Sequence, residues 1–241
     1  MKKIYVILFS TIVLISCSQK GKTNTNNENI KEETKVANTF EERKFENISL
    51  NKFVEKYKPI KCEIPDKELI EKYKEIVPDE LIELWQTAGF GFYKFNDCEL
   101  QMINPESYIE NLCEWFNRPV TYDRIPIAIS PFGIIMYYRK LSETDYDFAY
   151  LDPHTSQTEV LSWDITSFFN DVLLDDDIKN FLFEPELSVK AAKKKGSLDI
   201  NEMYSFVPAL RLGGDRTLEY VDKCNAQVQL DILLQLANED N

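Results

Sequence analysis

Apolar residues along this 241-residue chain recur at helical spacing early, then fall into short continuous runs, then return to helical spacing. The stretch "SLNKFVEKYKP" predicts a short helix with Ser49 as its cap and Phe53, Val54 and Tyr57 inward. "PDKELIEKYKEIV" predicts a second, with Leu69, Ile70, Tyr73 and Ile76 on one side. In "VPDELIELWQTAGFG", Pro78 suits the first helical position and Asp79 and Glu80 suit the positive end of the dipole. Gly89 is the stop, and Leu81, Leu84, Trp85 and Ala88 form the apolar stripe.

Strand signals follow. "FGFYKF" and "ELQMI" flank Asn96-Asp97, a hairpin break. "NPESYIENLCEWF" returns to helix, with Asn104 as cap, Pro105 first, and Ile109, Leu112, Cys113 and Phe116 buried. Then "RIPIAIS", "GIIMYYRK", "DFAYLD" and "TEVLSW" predict four strands in an antiparallel meander, the first pair turned by Pro131-Phe132-Gly133. The remainder reads as mostly helical: "DITSFFNDVLL", "DDDIKNFLF", "EPELSVKAAKKKG" and "NAQVQLDILLQLA". The pattern predicts an α+β fold, a mainly antiparallel central sheet flanked by helices.

The first 45 residues are different material. Lys2 and Lys3 precede an apolar run, Ile4 to Ile15, which is shorter than the roughly 20 residues a bilayer-spanning helix needs. A basic start, a short apolar run and a small residue before a break describe a secretory signal. Here the break falls at Leu14-Ile15-Ser16-Cys17, the pattern of a bacterial lipobox. It predicts a signal peptide over 1–16, a diacylglycerol thioether on Cys17, and an acyl chain such as palmitate on the new amine. More than one buried chain gives stable anchoring. Residues 18–45 are rich in Asn, Thr, Lys and Glu and poor in large apolar groups, so they predict a disordered tether reaching on the order of 30 Å. The globular part is divided into 46–150 and 151–241, packed as one body.

Charge narrows the partners. The chain carries 28 Lys/Arg and 41 Asp/Glu, of which 8 and 5 lie in residues 1–45, leaving 20 and 36 and a formal charge of −16 beyond them. That balance excludes nucleic acid, whose phosphates need basic surface, and excludes adhesion of the body to anionic lipid. It suits a basic protein partner and leaves the lipid anchor as the membrane attachment. Glu71, Glu75, Asp79, Glu80 and Glu83 are candidate contact residues by charge density. Cys62, Cys98, Cys113 and Cys224 form no C-x-x-C pair, which argues against a zinc ribbon. In an exported domain they allow three disulfide connectivities or none, and Cys113 fits a buried apolar helix face.

Catalytic signatures are missing. His154 is the single histidine, in "DPHTSQ", and reads as an exposed turn residue without a G-x-S-x-G partner. Asp175-Asp176-Asp177 lacks the spacing of a calcium loop and reads as a helix cap. "LGGDRT" lacks the phosphate-loop lysine and reads as a backbone turn, and Lys193-Lys194-Lys195 as a solvated helix end. Trp85, Trp115 and Trp163 sit beside apolar periodic positions and are expected in the core. The reading is a protein that is not an enzyme, has no cofactor and holds no metal. Its oligomeric state is open.

"LIELWQTAGFGFY", "INPESY" and "ISPFGIIMYY" resemble the GAD-like domain of bacterial proteins. The matching residues are Leu81 and Trp85, Gly89 and Gly91, Asn104-Pro105 with Tyr108, and Phe132-Gly133. "MYSFVPALRLGG" resembles the Pro-Ala-Leu-x-Leu-Gly-Gly signature of the domain that commonly follows, named for the C-terminal part of a type VI secretion immunity protein. Arg211 stands where that signature has a small residue, and the lipobox and tether are additions to the usual form. The resemblance implies an immunity protein that binds a toxin from a competing or sibling cell and blocks its active site or substrate groove. The alternative reading is an envelope lipoprotein that binds a small molecule, glycan or peptide.

Overall fold

The computed structural model describes residues 48–239. Cys17, the signal segment and the whole tether lie outside the described residues. Seven strands form one sheet in chain order: β1 (Lys58–Glu63), β2 (Phe90–Phe95), β3 (Cys98–Met102), β4 (Arg124–Ile129), β5 (Ile135–Lys140), β6 (Tyr146–Asp152) and β7 (Gln157–Ser162). Every neighbouring pair is antiparallel. Helices α1 (Asn51–Lys56), α2 (Lys67–Tyr73), α3 (Asp79–Thr87), α4 (Ile109–Trp115), α5 (Ile165–Asn170), α6 (Asp176–Phe183), α7 (Pro185–Lys195) and α8 (Ala226–Glu239) flank it. The class is α+β, as the pattern predicts.

The central strands read as continuous apolar runs because both sheet faces are covered. Met136, Tyr138, Phe148 and Tyr150 point into one core with Phe53, Trp85 and Phe168, from α1, α3 and α5. Ile135, Tyr137, Ala149 and Leu151 point the other way, onto Met203, Ala226 and Leu230. A smaller cluster joins Phe92 and Phe132 to Ala191, Tyr204, Phe206 and Val221. Phe148 stacks on Phe168 with centroids 4.6 Å apart.

Local signals explain most boundaries. Asp66 caps α2 through Leu69 N–H at 2.8 Å, and Asp164 caps α5 through Ser167 N–H at 2.7 Å. Asp175 caps α6 by accepting from Asp177 and Ile178, so the aspartate run is a helix start. Three details differ from expectation. Leu50, not Ser49, takes the cap position of α1, with no side-chain cap hydrogen bond, and Ser49 N–H donates to Glu83 at 3.0 Å. Pro78 is the cap residue of α3 rather than its first helical residue. Asn104 and Pro105 open a short 3₁₀ turn, Pro105–Ser107, ahead of α4.

Strands β1, β8 (Glu202–Phe206) and β9 (Val221–Asn225) are additions to the predicted set, and β8 and β9 pair as a separate ribbon. β1 escapes pattern reading because it is an edge strand with Pro59 and two lysines and no alternation of burial. Gly89 and Gly91 let it pair: a Cβ on Gly91 would lie 1.9 Å from the Lys61 carbonyl oxygen, and one on Gly89 2.4 Å from that of Glu63. β9 is mostly polar after the buried Val221, and with β8 it makes the C-terminal part less helical than its sequence suggests. No helix among the described residues is long and apolar enough to cross a membrane.

Candidate interaction site

The Pro208–Gly214 stretch forms a turn within the 207–220 connection from β8 to β9. Its backbone closes on itself. Gly214 N–H donates to Ala209 at 3.0 Å, Leu212 N–H to Ala209 at 2.8 Å, and Gly213 adopts φ +84°. A Cβ on Gly214 would meet the Pro208 carbonyl oxygen at 1.9 Å, so glycine is required there. The result is that Val207 and Leu212 stay 62% and 61% exposed, apolar side chains displayed on a stiff loop.

A polar cluster holds this loop from beneath. Arg216 reaches Asp152 Oδ2 at 3.4 Å with one terminal nitrogen and Glu184 with the other. Its guanidinium carbon sits 5.7 Å from the Phe206 ring centroid. Asp152 is buried and also accepts from the His154 N–H at 2.9 Å and the Thr155 hydroxyl at 3.0 Å. Burial pushes the Glu184 carboxyl up, and the Arg216 charge opposes that shift. Arg211 Nη2 donates to Ser156 Oγ at 2.6 Å, tying the loop to the β6–β7 turn. The arginine at the position where a small residue is expected thus serves as a strut.

His154 corrects the sequence reading: it is 3% exposed, not on the surface. Its Nε2 lies 2.9 Å from the Phe132 carbonyl oxygen and its ring 5.3 Å from that of Phe206. Burial pushes its pKa down, so the neutral ring donates through Nε2–H, and Nδ1 is buried without a hydrogen bond. Among the described residues no hydroxyl or thiol hydrogen-bonds the ring. The cluster therefore positions the loop, and it lacks a nucleophile–base pair.

The acidic candidates do not meet at one place of that kind. Glu71, exposed on α2, pairs with Lys74 just past the helix end, and Glu75 is exposed beyond it. Asp79 and Glu80 occupy the first turn of α3. Glu83 is half-buried and holds Ser49 N–H, which makes it a structural tie. None of the five touches the Pro208–Gly214 loop in any described contact. Cys98, Cys113 and Cys224 form no disulfide, and no group of three metal-ligating side chains occurs among the described residues. Burial pushes the Cys224 thiol up to about 12.

Asp152, Glu184 and Arg216 escaped sequence reasoning. Arg216 lies 64 and 32 positions from its two carboxylates, a separation that carries no periodicity. The one visible signal was an arginine directly after the Gly-Gly-Asp turn. A second concavity of about 840 Å³ lies between β1 and the Ile200-Asn201 turn, bordered by Ile64, Gln101, Asn104 and Ser107.

Comparison with known proteins places these features. Residues 45–145 match the family model for the GAD-like domain, which spans α1 through β5. Residues 163–237 match the model for T6SS immunity protein Tdi1, C-terminal, which includes α5 through β9 and the Pro208–Gly214 loop. The crystal structure of Atu4351 from Agrobacterium tumefaciens has a similar fold, with a TM-score of 0.58 and 17% identity over 76% of this chain and 87% of that one. No curated protein matches the chain. Two family models thus match successive segments of the chain, the GAD-like domain over 45–145 and T6SS immunity protein Tdi1, C-terminal, over 163–237.

Proposed function

We propose that this protein is a lipid-anchored immunity protein that binds and neutralises a protein toxin delivered by a competing or sibling bacterium. The observation that carries the reading is the immunity-type domain over residues 163–237. Its loop presents Val207 and Leu212 on a braced scaffold. Rigid apolar anchors lose little freedom on binding, which favours tight protein–protein contact. The formal charge of −16 beyond residue 45 steers a basic partner and speeds encounter. In this reading the protein acts by occupying the toxin's surface rather than by catalysis.

Lipidation of Cys17 would hold the protein in the bacterial cell envelope, on the periplasmic face or the cell surface. Growth with a labelled palmitate analogue tests this. Label should enter the wild type and be lost in Cys17→Ser; label retained by the variant contradicts the anchor. The toxin is tested separately, by co-expression with the secreted protein of the adjoining gene. One tight complex and survival of the co-expressing cells are expected. Killing unaffected by this protein contradicts the reading.

A second reading, an envelope lipoprotein binding a small molecule, glycan or peptide, draws on the concavity beside β1. Its volume, about 840 Å³, falls in the range of ligand pockets. Thermal-shift screening separates the two, because a genuine ligand raises apparent stability by mass action.

A further inference from the structure

The two edges of the seven-stranded sheet are built differently. β1 is blunted: Pro59 removes a donor, Lys58 and Lys61 line the strand, and its register breaks between Pro59 and Lys61. These are devices that stop a foreign strand from adding to an edge. β7 has neither proline nor lysine, and residues 153–164 contain no Lys or Arg at all. Its register with β6 is regular from Gln157 to Val160, and Leu161 is then the extra residue opposite the Phe148–Ala149 step. Side chains 157–160 are all exposed. Among the described residues, the backbone groups of Thr158 to Leu161 have no hydrogen-bond partner outside the pairing with β6.

Two features flank this open run. At one end the Ser156 hydroxyl holds Arg211 of the Pro208–Gly214 loop at 2.6 Å, so edge and loop are contiguous. At the other end Trp163 is 66% exposed, with no hydrogen bond or ring contact among the described residues. The bulge at Leu161 re-aims the chain just ahead of it. Exposed tryptophan beside an edge run, 157–160, that carries no proline, lysine or bulge is the composition of a binding hot spot.

We propose that β7 is the docking strand for the toxin: an extended, basic segment of the toxin adds to the sheet edge along Gln157–Val160, with Trp163 as its anchor. This rests on the immunity reading and names the surface that performs it. Charge selects the occupant. The titratable groups along the edge, Glu159 and Asp164, are acidic, and the body beyond residue 45 carries −16. A second copy would set like charges against like across the new pairing. A segment carrying Lys or Arg meets the opposite sign.

The test uses the mature chain from Cys17 and the purified secreted toxin of the adjoining gene. Val160→Lys, a strand-blocking change, and Trp163→Ala should each weaken binding at least tenfold. Ile60→Lys on the opposite edge should leave it within about twofold. All three positions are exposed, and unchanged melting curves verify the fold. Hydrogen exchange should show the outward-facing amides within 158–161, those not already bonded to β6, gaining protection on binding the toxin. Undiminished binding by both β7 variants, with those amides unprotected, overturns the proposal and leaves the immunity reading standing. No binding by the wild type overturns both. A wild-type dimer in light scattering that Val160→Lys dissociates makes a second copy the occupant and overturns the toxin strand. Protection of those outward-facing amides in the free chain that disappears on deleting residues 18–47 assigns the edge to the chain's own N-terminal segment, with the same consequence.

Discussion

Phe132 and Phe206 stack with centroids 5.4 Å apart and planes 5° from parallel. The first belongs to the GAD-like segment and the second to the immunity-type segment, so this pair joins the two family units ring to ring. Between those segments, residues 146–162 supply β6 and β7, which extend the same sheet. Tyr204 N–H, donating to the Pro131 carbonyl at 2.7 Å, adds a backbone link across the same contact.

Truncating that stack should be costly. Phe132→Ala removes a fully buried ring and should destabilise the protein by about 3–5 kcal/mol. Chemical denaturation reads this as a lowered midpoint. Both segments should unfold in one transition, and separate transitions for probes in the two segments would contradict the coupling.

Arg216 should matter through the carboxylates it serves. Arg216→Met leaves Glu184 and Asp152 facing each other in a largely buried setting. The expected loss is about 2–3 kcal/mol, less than for a fully buried ion pair because a third of the arginine side chain reaches solvent. Adding Glu184→Gln should recover part of it, since one unpaired charge is then removed. An additive double variant in urea unfolding would contradict the pairing.

How much of this was legible in the sequence depends on whether the signal was local. Strands β4 to β7 and the helices α2, α3 and α6 come through because apolar runs, Asp66, Gly89 and Asp175 act within a few residues. β1 and β9 do not, because an edge strand and a polar ribbon strand lack alternation and acquire their state from a neighbour. Trp85 and Trp163 look alike in sequence, each beside apolar positions. One is fully buried against Tyr73 and Phe90, and the other stands 66% exposed after an edge strand. His154 misled for the same reason: a Pro-His-Thr turn reads as surface until Phe132 and Phe206 fold over it. The site was visible only as a Gly-Gly turn, and its ionic bracing was not.

The loop's glycine should be irreplaceable. Gly214→Ala places a methyl against the Pro208 carbonyl and should cost about 2 kcal/mol or more, as backbone must shift. Gly213→Ala, in the same loop, meets no atom within 4 Å and pays only for its left-handed backbone at φ +84° and ψ 16°, about 1 kcal/mol. Differential scanning calorimetry should rank the two in that order, and equal melting points would contradict the close-packed loop.

His154 should make stability sensitive to mild acid. Burial holds its folded-state pKa below the ordinary 6.5, while the Phe132 carbonyl and Asp152 pull upward and Arg216 and Arg211 downward. The unfolded chain therefore binds the proton more readily. The stability contributed by the neutral ring is full above pH 6.5 and is lost as pH falls from there through the folded-state value. The loss is at most about 1.4 kcal/mol per pH unit. His154→Gln, which keeps a donor for Phe132, should show a flatter decline in melting temperature between pH 7 and 5. An identical decline would place the acid sensitivity elsewhere.

The central proposal is that this protein works by covering a toxin's surface, and isothermal titration of residues 18–241 with the purified secreted protein of the adjoining gene, as the candidate toxin, tests it most directly. The account predicts a one-to-one complex of nanomolar affinity that weakens as salt screens the acidic body. No heat of binding at micromolar concentrations, with cells expressing the protein killed as readily as cells without it, would contradict it.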